Sequence, residues 1–159
     1  MASTTLTEIK IRTASSQDAG IVAELAAQLY SELDLHGQEQ IDQTKLTNTA
    51  QTLLEGHRIV AFIAEEDGLP VGLITLHRCA ALYAGGEFGE ISELYVTRDH
   101  RKMGIGQGLL AAASRFASSQ GWERLELGAP AGSRWDNTFS FYEDYGFAAI
   151  GPRLRLLLN

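Results

Sequence analysis

ISELYVTRDHRKMGIGQGLL, residues Ile91 to Leu110, is the stretch on which the reading of this chain turns. It opens with an apolar, β-branched run, Ile91 to Val96, that reads as a strand. A short basic turn follows. Gly104 to Ser119 then reads as a helix, with Ile105, Leu109, Ala113 and Phe116 along one side. Between strand and helix lies Arg101-Lys102-Met103-Gly104-Ile105-Gly106, an R-x-x-G-x-G pattern. Glycine lets the backbone approach a ligand and take dihedrals that other residues avoid. The first amides of a helix have no partner within it, and the helix dipole favours an anion there. Arg101 and Lys102 add positive charge, so the segment suits a pyrophosphate. Two other phosphate loops are set aside. A Walker loop needs Lys-Ser/Thr after its last glycine, and Gly106 is followed by Gln107. The dinucleotide fingerprint follows a first strand, with an acid about 20 residues on, whereas this loop lies after at least three strands.

Upstream, Ile59 to Ala64 and Val71 to Leu76 read as strands joined through a turn at Asp67-Gly68-Leu69-Pro70, a hairpin. Tyr83-Ala84-Gly85-Gly86 reads as a flexible link to the central strand. Nearer the start, Ile9 to Arg12 reads as a strand. Ser15, with Asp18 three residues on, resembles a capped helix start. Ile21, Leu25, Leu29 and Leu33 continue it at helical spacing, and a second helix is expected over Lys45 to Glu55. Asp34 to Thr44 between them is polar and reads as a loop. Downstream, Gly121 ends the main helix. Leu125 to Leu127 reads as a strand, Thr138 to Tyr145 as a short helix stopped by Gly146, and Arg153 to Leu158 as a last strand. Hairpins early and strand–helix–strand late predict an α/β (mixed α+β) fold, a mixed sheet with helices on its faces. No repeat or linker divides the chain, so residues 1–159 are expected to form one domain.

Composition narrows the function classes. A chain of 159 residues that is 45% apolar can bury a real core. A net charge of -7 argues against a non-specific nucleic-acid binder, which needs a basic face to displace counterions. Nothing approaches the roughly 20 apolar residues of a membrane span. The one cysteine, Cys79, allows no internal disulfide and fits a reducing compartment. Met1 to Thr5 has neither the basic start nor the apolar run of a signal peptide, so a cytoplasmic protein is expected. Cys79 reads as a buried small hydrophobe. The four histidines, His36, His57, His77 and His100, show no ligand spacing, and no metal is assigned.

Around the phosphate loop the chain resembles the GNAT superfamily of N-acetyltransferases. In that family R-x-x-G-x-G/A opens the main helix and holds the pyrophosphate of acetyl-CoA. A second element, Asn137-Thr138-Phe139-Ser140-Phe141-Tyr142-Glu143-Asp144-Tyr145-Gly146-Phe147, is similar to the family's N-x-x-x-x-Y-x-x-x-G-F helix and turn. The opening, Ile11-Arg12-x-Ala14 followed by Asp18, is similar too. The resemblance implies a mostly antiparallel mixed sheet of six to seven strands, about four helices and a splayed central strand pair that opens the cofactor cleft. Gly108 is an additional glycine, marking close packing or cofactor approach.

The resemblance further implies site residues. Leu94, Tyr95 and Val96 would pair their backbone with the pantetheine arm. A bulge there would free an amide near Leu94 or Tyr95 as an oxyanion donor. Arg101, Lys102, Met103, Gly104, Ile105 and Gly106 would bind the pyrophosphate. The amine must lose a proton to attack, and an alkyl ammonium has a pKa of about 10.4, so a carboxylate base is needed. Glu90 matches the base position of several relatives, and Glu93 is the backup or an ammonium ligand. The two lie three apart, so alternation puts them on opposite faces unless the bulge shifts one, with Glu90 sharing a face with Ser92 and Leu94. Tyr142 would protonate the leaving thiolate or hydrogen-bond to it. Asn137 would bind the pantetheine region, cap its helix, or both. Tyr30, Glu32, Asp34, His36, Arg78 and Tyr83 to Glu87 are candidates for the acceptor pocket, with His77 and Trp135 at its border. A small-molecule primary amine ranks first as acceptor. A peptide N-terminus or lysine is the alternative, and a non-catalytic acetyl-CoA sensor is the competing class. The apolar last strand, at a sheet edge, would invite a second copy, which makes a homodimer a hypothesis.

Overall fold

The computed structural model describes residues 7–34 and 40–158. Contacts divide the chain into two units, Met1–Glu126 and Leu127–Asn159. The first unit carries the sheet, whose strand order is β1-β2-β3-β4-β5. The elements in chain order are β1 (Ile9–Thr13), α1 (Ala19–Leu33), α2 (Gln43–Glu55), β2 (Val60–Glu66), β3 (Leu69–Ala81), β4 (Gly86–Val96), α3 (Ile105–Ser119) and β5 (Leu125–Leu127), whose last residue falls past the boundary. The first four strands pair antiparallel in sequence order. From β4 the chain crosses through α3 to β5, the kind of connection a hairpin cannot make.

Alternation along the strands sorts two faces. Ala61, Ile63, Leu73 and Tyr95 form one core with Val22, Ala23, Leu25 and Ala26 of α1 and with Ala50 and Leu54 of α2. The other face meets α3. There Phe62 packs edge-on against Phe116, and Leu109 Cδ1 lies 3.1 Å from where a Gly72 side chain would begin. Gly108 has the same kind of origin: a Cβ would stand 2.8 Å from Ile11 Cδ1, so the helix lies close on β1.

The start of α1 is pinned from outside the helix. Arg12 on β1 grips both oxygens of Asp18 at 2.9 Å, and the Ser15 amide donates to the same carboxylate at 2.8 Å. These donors, Arg12 foremost, hold the Asp18 carboxyl down to about 2. One turn of 3-10 helix, Ser16–Asp18, intervenes before α1 begins.

Several expectations are corrected. The first hairpin turns on Asp67 and Gly68 alone, both with positive φ, and Leu69 and Pro70 already belong to β3. Both β3 and β4 run well past their apolar cores, from Leu69 to Ala81 and from Gly86 to Val96. The ladder continues through His77, Arg78, Cys79, Glu87 and Glu90, because backbone pairing is indifferent to side-chain polarity. Leu82 to Gly85 is therefore the turn of a second hairpin, with Ala81 opposite Gly86 in the ladder, and the loose link expected over Tyr83 to Gly86 is not one. Among the described residues the sheet has five strands rather than six or seven: Arg153 to Leu158 forms no strand. An alternating pattern makes a strand only where a neighbour offers a ladder.

The second unit holds α4, Asp136–Tyr145, entered by a 3-10 turn at Ser133–Trp135. Gly146, at φ 125°, ends the helix, and its amide bonds to the Tyr142 and Glu143 carbonyls.

Candidate active site

The site is set by a slip in the β3–β4 ladder. Thr75 faces Glu93, but Leu76 faces Ile91, leaving Ser92 as the extra residue of a β-bulge. The expected bulge exists, two residues earlier than Leu94. It inverts the alternation beyond it. Glu90 pairs with His77 and Glu93 with Thr75, and those two β3 residues share a face, so both carboxylates lie on the α1 side. Leu94, opposite Ile74, points to the α3 side instead of sharing a face with Glu90.

Glu93 is held between two hydroxyls. Tyr30 of α1 donates to one oxygen at 2.5 Å and Thr75 donates to the other. The Glu93 amide donates to Thr75 Oγ1 at 3.1 Å. Burial, and then the charge of Glu93, push the Tyr30 phenol far above its usual range, so it stays a proton donor. Thr75, with only 2% of its surface exposed, was not foreseeable as part of this group. Its one sequence signal is a hydroxyl in an apolar alternation. Glu90 is half-buried, with Cys79 Sγ 3.8 Å from its Oε2, and Ser92 Oγ lies 3.0 Å from His77 Nδ1. Cys79 is thus half-exposed in a polar group rather than a buried hydrophobe.

Past Val96 the chain turns into the R-x-x-G-x-G loop. Thr97 Oγ1 lies 2.8 Å from His100 Nδ1, and His100 Nε2 lies 2.5 Å from Glu66, tying the turn to the end of β2. Arg101 folds back over the Tyr95 ring, donates to the Val96 carbonyl at 2.9 Å, and grips both oxygens of Glu32 at 2.7 and 2.8 Å. Arg98 also reaches Glu32, at 3.2 Å. Lys102 and Gly104 both take positive φ, 63° and 81°, and Met103 is exposed. The first helical bond runs from the Gly108 amide to the Gly104 carbonyl. The amides of Ile105, Gly106 and Gln107 consequently have no partner within α3. Apart from its own chain neighbours, no atom of the described residues comes within 4 Å of where a Gly104 side chain would begin. Donor-rich backbone, a cation at Lys102 and open space at Gly104 fit a pyrophosphate. On the other edge of β4, β5 spans three residues against eleven, so much of that backbone has no partner in β5.

The remaining acceptor candidates divide. Tyr30 and Glu32 are engaged as described, and Asp34 ends α1 in the left-handed conformation. Arg78 pairs with Glu87 at 3.6 Å, and Tyr83 sits in the hairpin turn with its hydroxyl on Glu126. His36 lies outside the described residues.

In the second unit, Tyr142 is half-buried against Phe141 and Phe147, with ring centroids 5.4 and 5.7 Å away. Burial raises its phenol to about 12. Asn137 is exposed as the second residue of α4, and Trp135 holds the cap position, so the expected Asn137 cap is replaced. Trp135 lies under Arg134 at 4.8 Å.

Residues 22–147 match the model of the acetyltransferase (GNAT) family. The uncharacterized N-acetyltransferase YhfO of Bacillus subtilis is 30% identical over 144 residues, 87% of this chain and 89% of that protein. Among solved structures, an aminoglycoside acetyltransferase, meta-AAC0020, from an uncultured soil metagenomic sample superimposes with a TM-score of 0.74 at 20% identity, covering 95% of each chain. A ribosomal-protein-alanine N-acetyltransferase from Brucella melitensis gives 0.73 at 23% identity, covering 96% of this chain and 100% of that one. At those identities the two structural likenesses are likenesses of fold.

Proposed function

Because this chain belongs to the GNAT acetyltransferase family, and so uses acetyl-CoA as acetyl donor, we propose that it acetylates the primary amine of a small molecule, with Glu90 as general base. The carrying observation is the order along one strand: Glu90, the Ser92 bulge, the Leu94–Val96 backbone, then the phosphate loop at the start of α3.

The donor supplies an activated acetyl thioester, and the chain's own residues do the rest. Backbone amides of Gly104, Ile105 and Gly106, with Lys102 and Met103 beside them, hold the pyrophosphate. Arg101 acts by fixing that loop to Glu32 and Val96. The backbone of Leu94, Tyr95 and Val96 aligns the pantetheine arm, and an amide of β4 near Leu94 or Tyr95 faces the thioester oxygen. Asn137 binds beside the pantetheine. Glu90 takes the ammonium proton, directly or through water. Glu93, held by Tyr30 and Thr75, supports the charge balance of the acceptor side. Tyr142, assigned from its motif position, keeps its proton at neutral pH and gives it to the leaving sulfur.

Two carboxylates on one sheet face and a net charge of -7 suit a compact cationic acceptor. In the same reading residues 1–159 act as one cytoplasmic acetyltransferase domain. A second copy of the chain covers the exposed Leu154, Leu156, Leu157 and Leu158 in a homodimer.

The test is thiol release from acetyl-CoA across polyamines, aminoglycosides, aminoalkylphosphonates, amino acids and lysine or N-terminal peptides. Turnover confined to small amines supports the proposal. Turnover confined to peptides replaces the acceptor class, and donor binding without turnover on any amine replaces catalysis with sensing.

A further inference from the structure

The second hairpin brings together three side chains of different metal-ligating types, two from β3 and one from β4. His77 and Cys79 are two apart on β3 and share a face; Glu90 stands directly opposite His77 on β4. On that face Leu73 and Thr75 are buried, whereas His77, Cys79 and Glu90 are each half-buried, where the sheet emerges from the helical cover. One ligand atom from each of the three lies within 4.8 Å of the others. We propose that His77, Cys79 and Glu90 form a binding site for a zinc-class divalent cation.

The donor set argues for that class. Zinc takes thiolate, imidazole and carboxylate ligands, the soft thiolate disfavours magnesium and calcium, and three protein ligands leave the fourth tetrahedral position open. The thiolate and carboxylate together carry the charge that a divalent ion cancels. Binding replaces the Cys79 thiol proton, which leaves to solvent. Ser92, the bulge residue, engages His77 Nδ1 at 3.0 Å, so an ion bound through Nε2 keeps that orienting hydrogen bond. The site uses Glu90, so its occupancy would also stop acetyl transfer; this consequence rests on Glu90 being the base, while the site itself does not.

The test uses chelator-stripped full-length protein without donor or amine. Zinc is titrated in competition with a chromophoric chelator, and cobalt is added separately as a spectroscopic probe. The expected result is one zinc per chain, weakened at least about tenfold in both Cys79→Ser and His77→Ala. Cobalt-loaded protein should show a near-ultraviolet thiolate charge-transfer band that Cys79→Ser lacks. Equal zinc affinity in the three proteins, or no such band, overturns the proposal. Turnover is then measured with zinc present. Inhibition of the unaltered protein but not of Cys79→Ser supports the site and its consequence. Zinc binding with undiminished turnover supports the site and removes Glu90 from the role of base.

Discussion

Glu90 and Glu93 are the same residue type on the same face of one strand, and their surroundings separate them. Glu93 spends both oxygens on Tyr30 and Thr75. Glu90 sits opposite His77, beyond the helical cover. Glu90→Gln should therefore lower kcat by about 10² to 10⁴ at neutral pH, the usual worth of a general base. The dissociation constant for acetyl-CoA, measured by calorimetry, should not move; an unchanged kcat would remove the assignment. Asp18 offers a test of structure rather than catalysis. Its carboxyl falls from an ordinary 3.8 to about 2 in the folded chain. A depressed pKa contributes stability that is complete above about pH 4 and is lost as pH falls toward 2. Asp18→Ala should cost about 1 to 2 kcal/mol in urea unfolding at pH 7, with the deficit closing over that window. A deficit independent of pH would assign the loss to packing.

Elements show which glycines the fold demands. Gly104 begins α3 at φ 81° with open space around it, so an alanine there meets backbone strain and no clash. Gly104→Ala should cost about 1 to 2 kcal/mol. It should also raise the KM for acetyl-CoA more than it lowers kcat, since the new methyl would stand in the proposed pyrophosphate cradle; an unchanged KM would move the pyrophosphate elsewhere. Gly89 is the opposite case. A Cβ there would stand 2.7 Å from Leu125 Cδ2 and 2.8 Å from two ring atoms of Trp122. Gly89→Ala should destabilise by about 1 to 3 kcal/mol through overpacking, read as a lower urea midpoint. An unchanged midpoint would mean that Trp122 yields freely. The helices were legible because their apolar residues recur at helical spacing, and α3 lies within one residue of its expected start. The length of β3 and β4 was not, since the hairpin runs on through charged residues that interrupt the apolar pattern.

At the scale of the whole molecule, the exposed leucines at the C-terminal end bear on assembly. Leu154, Leu156, Leu157 and Leu158 are 75 to 90% exposed. Light scattering at micromolar concentration should give twice the chain mass, and substituting two of these leucines by serine should return it to one. A chain mass of one for the unaltered protein would end the dimer proposal. By itself the sequence determined the mixed fold, the glycine-rich start of α3 and the family, because these depend on local periodicity, glycine placement and the order of two motifs. Only the tertiary structure decided how residues distant in sequence meet. The Ser92 bulge turns Glu90 and Glu93 onto one face, Arg101 closes on Glu32, and the hairpin sets Glu90 beside His77 and Cys79. Register is a property of two strands together, and a single extra residue in one of them reverses every side chain beyond it.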